Sequence, residues 1–511
     1  MMRYFYLCSL FFWLVFYFGC NFNQQDKEKW ASYQEKFRPQ YHFSPPANWM
    51  NDPNGMVYYN GQYHLFYQYY PDSTVWGPMH WGHAVSRNLV QWEHMPVALY
   101  PDSLGWIFSG SAVMDFHNTS GLGRDGKIPL LAFFTHHHDG KEKEGRNDYQ
   151  YQSLAWSLDG GQTFIKYNAN PIVKNPGIRD FRDPKVIWHD PSGHWIMVLA
   201  VYDRVMFYRS RDLLGWEYTG EFGIEGDTRL WECPDLFPLI VEETGEQKWI
   251  LIVSIQQGAP NIGTGTGYFI GDFDGLTFHG NIDQQLWLDY GTDNYALVTW
   301  SGTTDGRTIG IGWMSNWDYA QVVPTHPWRS AMTLPRSFSL HFENGKYRLR
   351  SLPVSELAEL EIDENEINPS DLSKGYKQPN QNSLFKIHLK LKKPQSGSIT
   401  IKFSNQEEEF VMVGFDSTRN AYFIDRRYSG EVGFHPSFAG IHYAPVEHQH
   451  DTLDWLIYVD HSSIEWFAEK GRTVMTDILF PNKPYHSIEV LSEENDLQWI
   501  SAKISDLKPI W

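Results

Sequence analysis

The chain reads as all-β, a five-bladed β-propeller followed by a β-sandwich. Three observations in the 511-residue sequence predict this. A strand, a polar turn and an aromatic residue recur several times in the first half. Polar strand starts recur five times over the same stretch. Beyond residue 375, apolar and polar residues alternate with period two.

The first series begins at residues 84–92 (AVSRNLVQW). It is echoed at 155–164 (AWSLDGGQTF), at 207–216 (FYRSRDLLGW) and more faintly at 269–278 (FIGDFDGLTF). The second series consists of short polar starts ahead of apolar runs, at Asn51-Asp52, Phe108 to Ser111, Arg182-Asp183, Glu232 and Asp293-Asn294. Five starts imply five blades, and units of roughly 50 to 70 residues with Gly-rich turns suit four-stranded sheets around a channel. The inner strands of such blades begin at one end of the channel, so Asp52, Asp183 and Glu232 are expected to converge. Asn51-Asp52-Pro53-Asn54-Gly55 is itself expected to form a turn, because proline presets φ and Asn-Gly tolerates φ > 0.

The predicted boundaries are a signal peptide over 1–19, a polar tether over 20–38, the propeller over 39–352, a connector over 353–374 and the sandwich over 375–511. Residues 4–18 are almost wholly apolar after Arg3, a run too short for a comfortable membrane span. Gly19-Cys20 then resembles a bacterial lipoprotein site, which makes Cys20 the expected lipidated residue and the membrane a partner through that anchor. Ordinary secretion is the alternative. Of three cysteines, Cys8 would leave with the signal and Cys20 would be acylated. Cys233 would remain alone, so no internal disulfide is expected. A net charge of −19, with no Lys/Arg cluster to reverse it, argues against a nucleic-acid partner, which would need a basic face. The 22 Trp, 29 Tyr and 32 Phe suit both β-rich cores and sugar-stacking surfaces.

Glycoside hydrolysis needs two carboxyl groups, one to protonate the leaving oxygen and one to attack or to activate water. Asp52 and Glu232 fit that pair, with Asp183, held ionised by Arg182, as a third acid accepting bonds from sugar hydroxyls.

Residues 48–55 (NWMNDPNG), 181–184 (FRDP) and 231–234 (WECP) together resemble the three signatures of glycoside hydrolase family 32, the invertase, inulinase and levanase family. Further matching segments are Gln68 to Pro71, Trp76-Gly77, Trp81 to Ala84, Phe108 to Ser111, Gly312 to Trp317, Leu334 to Arg336 and Val459 to Ser463. The resemblance runs from about residue 39 to the C-terminus and is closest to bacterial levanases and exo-acting fructanases. It implies the propeller and sandwich and a retaining mechanism on β-fructofuranosides. It makes Asp52 the nucleophile, Glu232 the general acid/base and Asp183 the transition-state stabiliser. The implied substrate contacts are Asn51, Gln68, Trp76, Phe108, Ser109, Arg182 and Trp313. No cofactor and no metal is implied. The expected substrates are levan, inulin and sucrose, attacked from the chain end. Endo-attack, fructosyl transfer and a non-catalytic fructan-binding lipoprotein are the alternatives, and an inverting arabinan-type hydrolase is a related one.

Other features read as structural. His136-His137-His138-Asp139 reads as a solvated polar loop and not a metal site. Residues 263–267 (GTGTG) lack nucleotide-loop spacing and read as a hairpin or loop. Asn118-Thr119-Ser120 matches a glycosylation acceptor, which has no bearing in a bacterial host. Cys233 reads as a small buried residue supporting Glu232.

Overall fold

In the computed structural model the five polar starts lead into the innermost strands of five antiparallel sheets. The described residues are 32–281, 285–377, 384–394, 396–447, 451–493 and 497–511. The expected signal peptide and Cys20 lie outside them. The inner strands are Asn48–Tyr59, Trp106–Met114, Phe181–His189, Trp231–Ile240 and Tyr295–Thr299. Each contacts the next and the fifth contacts the first, which closes the ring of a five-bladed propeller. A short strand from the last blade, Trp328–Arg329, pairs in parallel with Asn48–Trp49 and fastens that closure.

The repeated strand–turn–aromatic units are the connections between the third and fourth strands of the first four blades. In each, an Asn or Asp side chain accepts backbone N–H bonds from residues two to four positions on. Asn88 takes Val90 and Gln91, Asp159 takes Gln162 and Thr163, Asp212 takes Leu214 and Gly215, and Asp274 takes Leu276 and Thr277. The repeat is therefore an Asx turn that ends one strand and launches the next. In the fifth blade the two-residue turn Asn344-Gly345, with φ of 51° and 75°, serves instead.

The 51–55 run does not reverse the chain. It lies inside the single strand Asn48–Tyr59, whose pairing with Gln62–Tyr70 breaks between Met50 and Pro53 and again between Asn54 and Val57. Residues that tolerate φ > 0 serve a bulge as well as a turn. Gly55 has φ of 58°, and a Cβ there would sit 2.6 Å from the Trp81 ring, so this position requires glycine. The ladder of every inner strand is interrupted near its start.

Beyond the propeller, two six-stranded sheets pack face to face. Phe385, Ile387, Leu389 and Leu391 of one meet Ile399, Ile401 and Phe403 of the other in a shared core, as the period-two alternation requires. Two boundaries differ from the sequence reading. Strand Glu361–Glu366, within the expected connector, pairs with Trp499–Leu507 and so belongs to the sandwich. Within the expected tether, Phe37 packs edge-on against Phe480 and the buried Arg38 bonds Glu35, Ser44 and the Pro45 carbonyl.

A buried ionic seam joins the domains. Arg336 of the last blade donates to Asp289 at 2.9 Å and crosses to Glu465 of the sandwich at 2.6 Å. Arg426 of the sandwich reaches back to Asp293 at 2.6 Å and to the Tyr319 hydroxyl at 2.9 Å. His42, at the start of the propeller, lies between Asp460 at 2.7 Å and Glu465 at 2.9 Å. These two carboxylates hold the His42 ring protonated against its burial and push its pKa from the usual 6.5 up to about 9.

Because the folded-state value is the higher one, the stabilisation from His42 is complete below pH 6.5 and is lost as pH rises through about 9. We expect a loss of roughly 3 kcal/mol across that window. His42→Gln should flatten this part of the stability profile, as read by urea midpoints between pH 6 and 10.

Candidate active site

The bulges decide what faces the channel. In a regular strand neighbouring residues point to opposite faces. Here the adjacent pairs Asn51/Asp52, Phe108/Ser109 and Arg182/Asp183 all line one pocket of about 350 Å³. Asp183 has φ of 62°, which turns it towards the same side as Arg182. The pocket also takes in Gln68, Trp76 and Glu232, so the three carboxylates and six of the seven expected contacts come together.

Asp52 is buried at the inner end. Its Oδ1 accepts the Asn51 amide at 3.0 Å and its Oδ2 accepts the Ser109 hydroxyl at 2.8 Å. Asn51 is itself oriented by the Trp49 indole N–H, 2.7 Å from its Oδ1, so its NH₂ group must face Asp52. Burial, reinforced by the charge of Glu232, raises the Asp52 pKa above the usual carboxylate range.

Glu232 is held at both oxygens. Arg182 donates to Oε1 from Nε at 3.2 Å and Nη2 at 3.0 Å, and the Tyr295 hydroxyl donates to Oε2 at 2.5 Å. Arg182 spends its remaining nitrogen on Asp180 at 2.7 Å and Gln150 at 3.3 Å. Its nearest approach to Asp183 is only 3.8 Å. Burial therefore dominates at Asp183 and pushes its pKa up to about 7, against the pull of Arg182 and with Glu232 and Asp52 adding to the rise. Asp183 is thus less firmly ionised than the sequence reading expected.

Cys233 supports the two aspartates and not Glu232. Its backbone N–H donates to Asp183 at 3.0 Å and its thiol lies 3.4 Å from Asp52 Oδ2. The thiol is buried and unbridged, and its pKa is raised far above the ordinary range by burial beside three carboxylates.

Trp313 is the one expected contact that does not reach the pocket. It is 0% exposed and lies behind Trp317, with ring centroids 4.8 Å apart. Trp317, four residues on and past the strand end at Met314, takes the place on the wall. The four-residue spacing gave no means of choosing between the two rings.

The sequence reading also missed Asp180, Gln150, His137 and Glu142, all on the wall. A signal for Asp180 was its place two residues before Arg182. For His137 the signal was the apolar run 130–134, which carries its strand, Leu130–His137, wholly into the core. The expected solvated loop is therefore wrong for His136 and His137, both buried; only His138 leaves the strand, to cap the short helix Asp139–Lys143. Thr264 and Thr266 in the 263–267 segment are likewise buried against blade neighbours.

Comparison with known proteins agrees with this construction. The model of the glycosyl hydrolases family 32 N-terminal domain matches residues 42–353, and that of the family 32 C-terminal domain matches residues 353–508. The chain is 44% identical to a levanase of Bacillus subtilis over 94% of this chain and 72% of that protein. It is 36% identical to an extracellular exo-inulinase of Aspergillus awamori, over 94% of this chain and 96% of that one. The crystal structure of exo-inulinase from the same fungus superposes with a TM-score of 0.85 at 34% identity, covering 94% of this chain and all of that one. A β-fructofuranosidase from Schwanniomyces occidentalis, complexed with fructosyl-erythritol, superposes with a TM-score of 0.83 at 30% identity over 94% and 99% of the two chains. Propeller and sandwich are thus both matched along their length, and the chain is a glycoside hydrolase belonging to family 32.

Proposed function

We propose that the protein is a retaining β-fructofuranosidase that hydrolyses fructans such as levan and inulin, and sucrose, by releasing fructose from the chain end. The observation that carries this reading is the asymmetric hold on the two acids. Asp52 is fixed at the inner end by Asn51 and Ser109, whereas Glu232 stands further out between Arg182 and Tyr295.

In the first step Asp52 attacks the anomeric carbon of the fructosyl unit. The bond from that carbon to the leaving oxygen breaks and Glu232 gives its proton to that oxygen. In the second step Glu232, now a carboxylate, takes a proton from water. The water oxygen then bonds to the anomeric carbon and Asp52 is released. Two displacements on opposite faces return the original configuration. Asp183, in its ionised form, accepts hydrogen bonds from sugar hydroxyls, and these strengthen as positive charge develops on the sugar. Beyond Ser109 and Asp183 the channel holds only about 10 Å³, beside Lys185, Cys233 and Thr299, and a pocket closed at that end supports attack on a terminal unit.

The extracellular relatives support export of this chain. The apolar run 4–18 with Gly19-Cys20 supports lipidation of Cys20 as the finer reading, and metabolic labelling with a fatty acid tests it.

Glu232→Gln should lower turnover of sucrose by about 10²- to 10⁴-fold, the range for loss of a general acid. Free fructose from the outset of a levan or inulin digest is the product expected for exo-attack, and early oligosaccharides would overturn it.

Asp183→Asn should stabilise the fold. A carboxyl raised from 3.8 to about 7 leaves the folded protein binding more protons than the unfolded chain between those values. Stability therefore falls as pH rises through this window. The variant should melt higher than wild type at pH 8, and the gain should vanish by pH 4, as read by calorimetric melting across that range.

A further inference from the structure

We infer that His137 and Glu142 form a hydroxyl-binding pair at the mouth of the pocket, one that reads the sugar unit on the leaving-group side and so sets preference among fructans and sucrose. The inference rests on the fructosidase reading above.

The tautomer of His137 follows from its neighbours. Gln150 accepts Arg182 through Oε1, so its NH₂ group is the one that meets His137 Nδ1 at 3.3 Å. Nδ1 is then the acceptor and Nε2 carries the hydrogen. Burial and the charge of Arg182 keep the ring neutral, with its pKa brought down to about 4, so this donor persists across neutral and mildly acid pH. The ring is held by stacking on Phe108, with centroids 4.3 Å apart and planes within 5°.

That fixed N–H has no hydrogen-bond partner among the described protein atoms, although the His137 side chain is only 3% exposed. Its nearest polar neighbour is Glu142 Oε2 at 3.3 Å, placed off the line a hydrogen bond needs. A donor and an acceptor side by side on the wall of one pocket, neither satisfying the other, match a hydroxyl group that reaches the imidazole as the half-exposed Glu142 side chain gives way. A hydroxyl accepts from the imidazole and donates to the carboxylate at once. A buried donor left unmet costs more than it gains, so the pair favours a ligand that supplies this group.

The pair's place in the pocket assigns the sugar unit. Ser109 and Asp183 also line the narrow space further down the channel, beside Lys185 and Cys233, which makes theirs the inner end, whereas the Glu142 side chain, on the helix Asp139–Lys143, is 48% exposed at the rim with the buried His137 ring beside it. The unit being cleaved occupies the inner end, so a rim pair meets the unit beyond the scissile bond. The path Glu232–Arg182–Gln150–His137 also places the histidine on the far side of Arg182 from the proton donor.

The test compares sucrose and inulin with an aryl β-fructofuranoside, whose leaving group carries no hydroxyls. His137→Phe keeps the stacking and removes the donor, and Glu142→Ala removes the acceptor from a half-exposed helix where folding is not at stake. In each variant the ratio of saccharide to aryl kcat/KM should fall about tenfold, the size of one hydrogen bond. The double variant should fall little further, since the two groups share one hydroxyl. Equal losses on both substrate types would overturn the proposal and assign His137 to support of Arg182. An unchanged ratio in variants that still turn over would overturn the pair alone. A wild-type chain that cleaves neither substrate would overturn the pair together with the catalytic reading.

Discussion

The pocket depends on one buried guanidinium. Arg182 holds Glu232 with two nitrogens and Asp180 with the third, and its charge reaches Asp183 at 3.8 Å. At that range a pair of unit charges interacts by about 4 kcal/mol when the effective dielectric constant is near 20. Each acid around it is buried or nearly so, and an acid left without a counter-charge would shed its ionisation or drive the site open. The position of Arg182 is set by the backbone. It opens the inner strand of the third blade, and the bulge after it brings Asp183 to the same face. A regular strand would have sent one of the two into the blade.

Blade number and domain order were legible because both are written as spacing. Asx turns need Asn, Asp or Ser at a fixed distance before the next strand, and that chemistry repeats visibly at Asn88, Asp159, Asp212 and Asp274. Bulges were not legible, since the backbone demands of a bulge and a turn draw on the same residues. The 51–55 run therefore gave the correct acid with the wrong local geometry. The three carboxylates were found by motif, whereas Asp180, Gln150 and Glu142 carry no motif and take their meaning from where the bend before strand Phe181–His189, the start of strand Gln150–Ser157 and the helix Asp139–Lys143 meet.

The seam between the domains was the least legible part. His42 and Asp460 are 418 residues apart, so no local pattern links them. Replacing such buried pairs with apolar residues is often neutral or stabilising, while removing one member is costly. The seam is therefore better understood as fixing the register of the sandwich against the last and first blades. Arg336 and Arg426 cross it in opposite directions, so a slide along the interface would unpair both at once.

The contrast between seam and pocket bears on catalysis. Across the seam, Arg336, Arg426 and a protonated His42 face Asp289, Asp293, Asp460 and Glu465, and the charges come close to balance. In the pocket, Asp52, Asp180, Asp183 and Glu232 face Arg182, with Arg179 joining Asp180 from the surface. The pocket is therefore short of positive charge, and the values of Asp52 and Asp183, raised chiefly by burial, are raised further by the neighbouring carboxylates. Glycoside cleavage passes through a sugar that is itself cationic. An arrangement short of positive charge binds that species more tightly than it binds the neutral substrate, and a difference of this kind is what lowers a barrier. The instability of the acids in the resting protein and their fitness for the transition state thus have the same electrostatic origin.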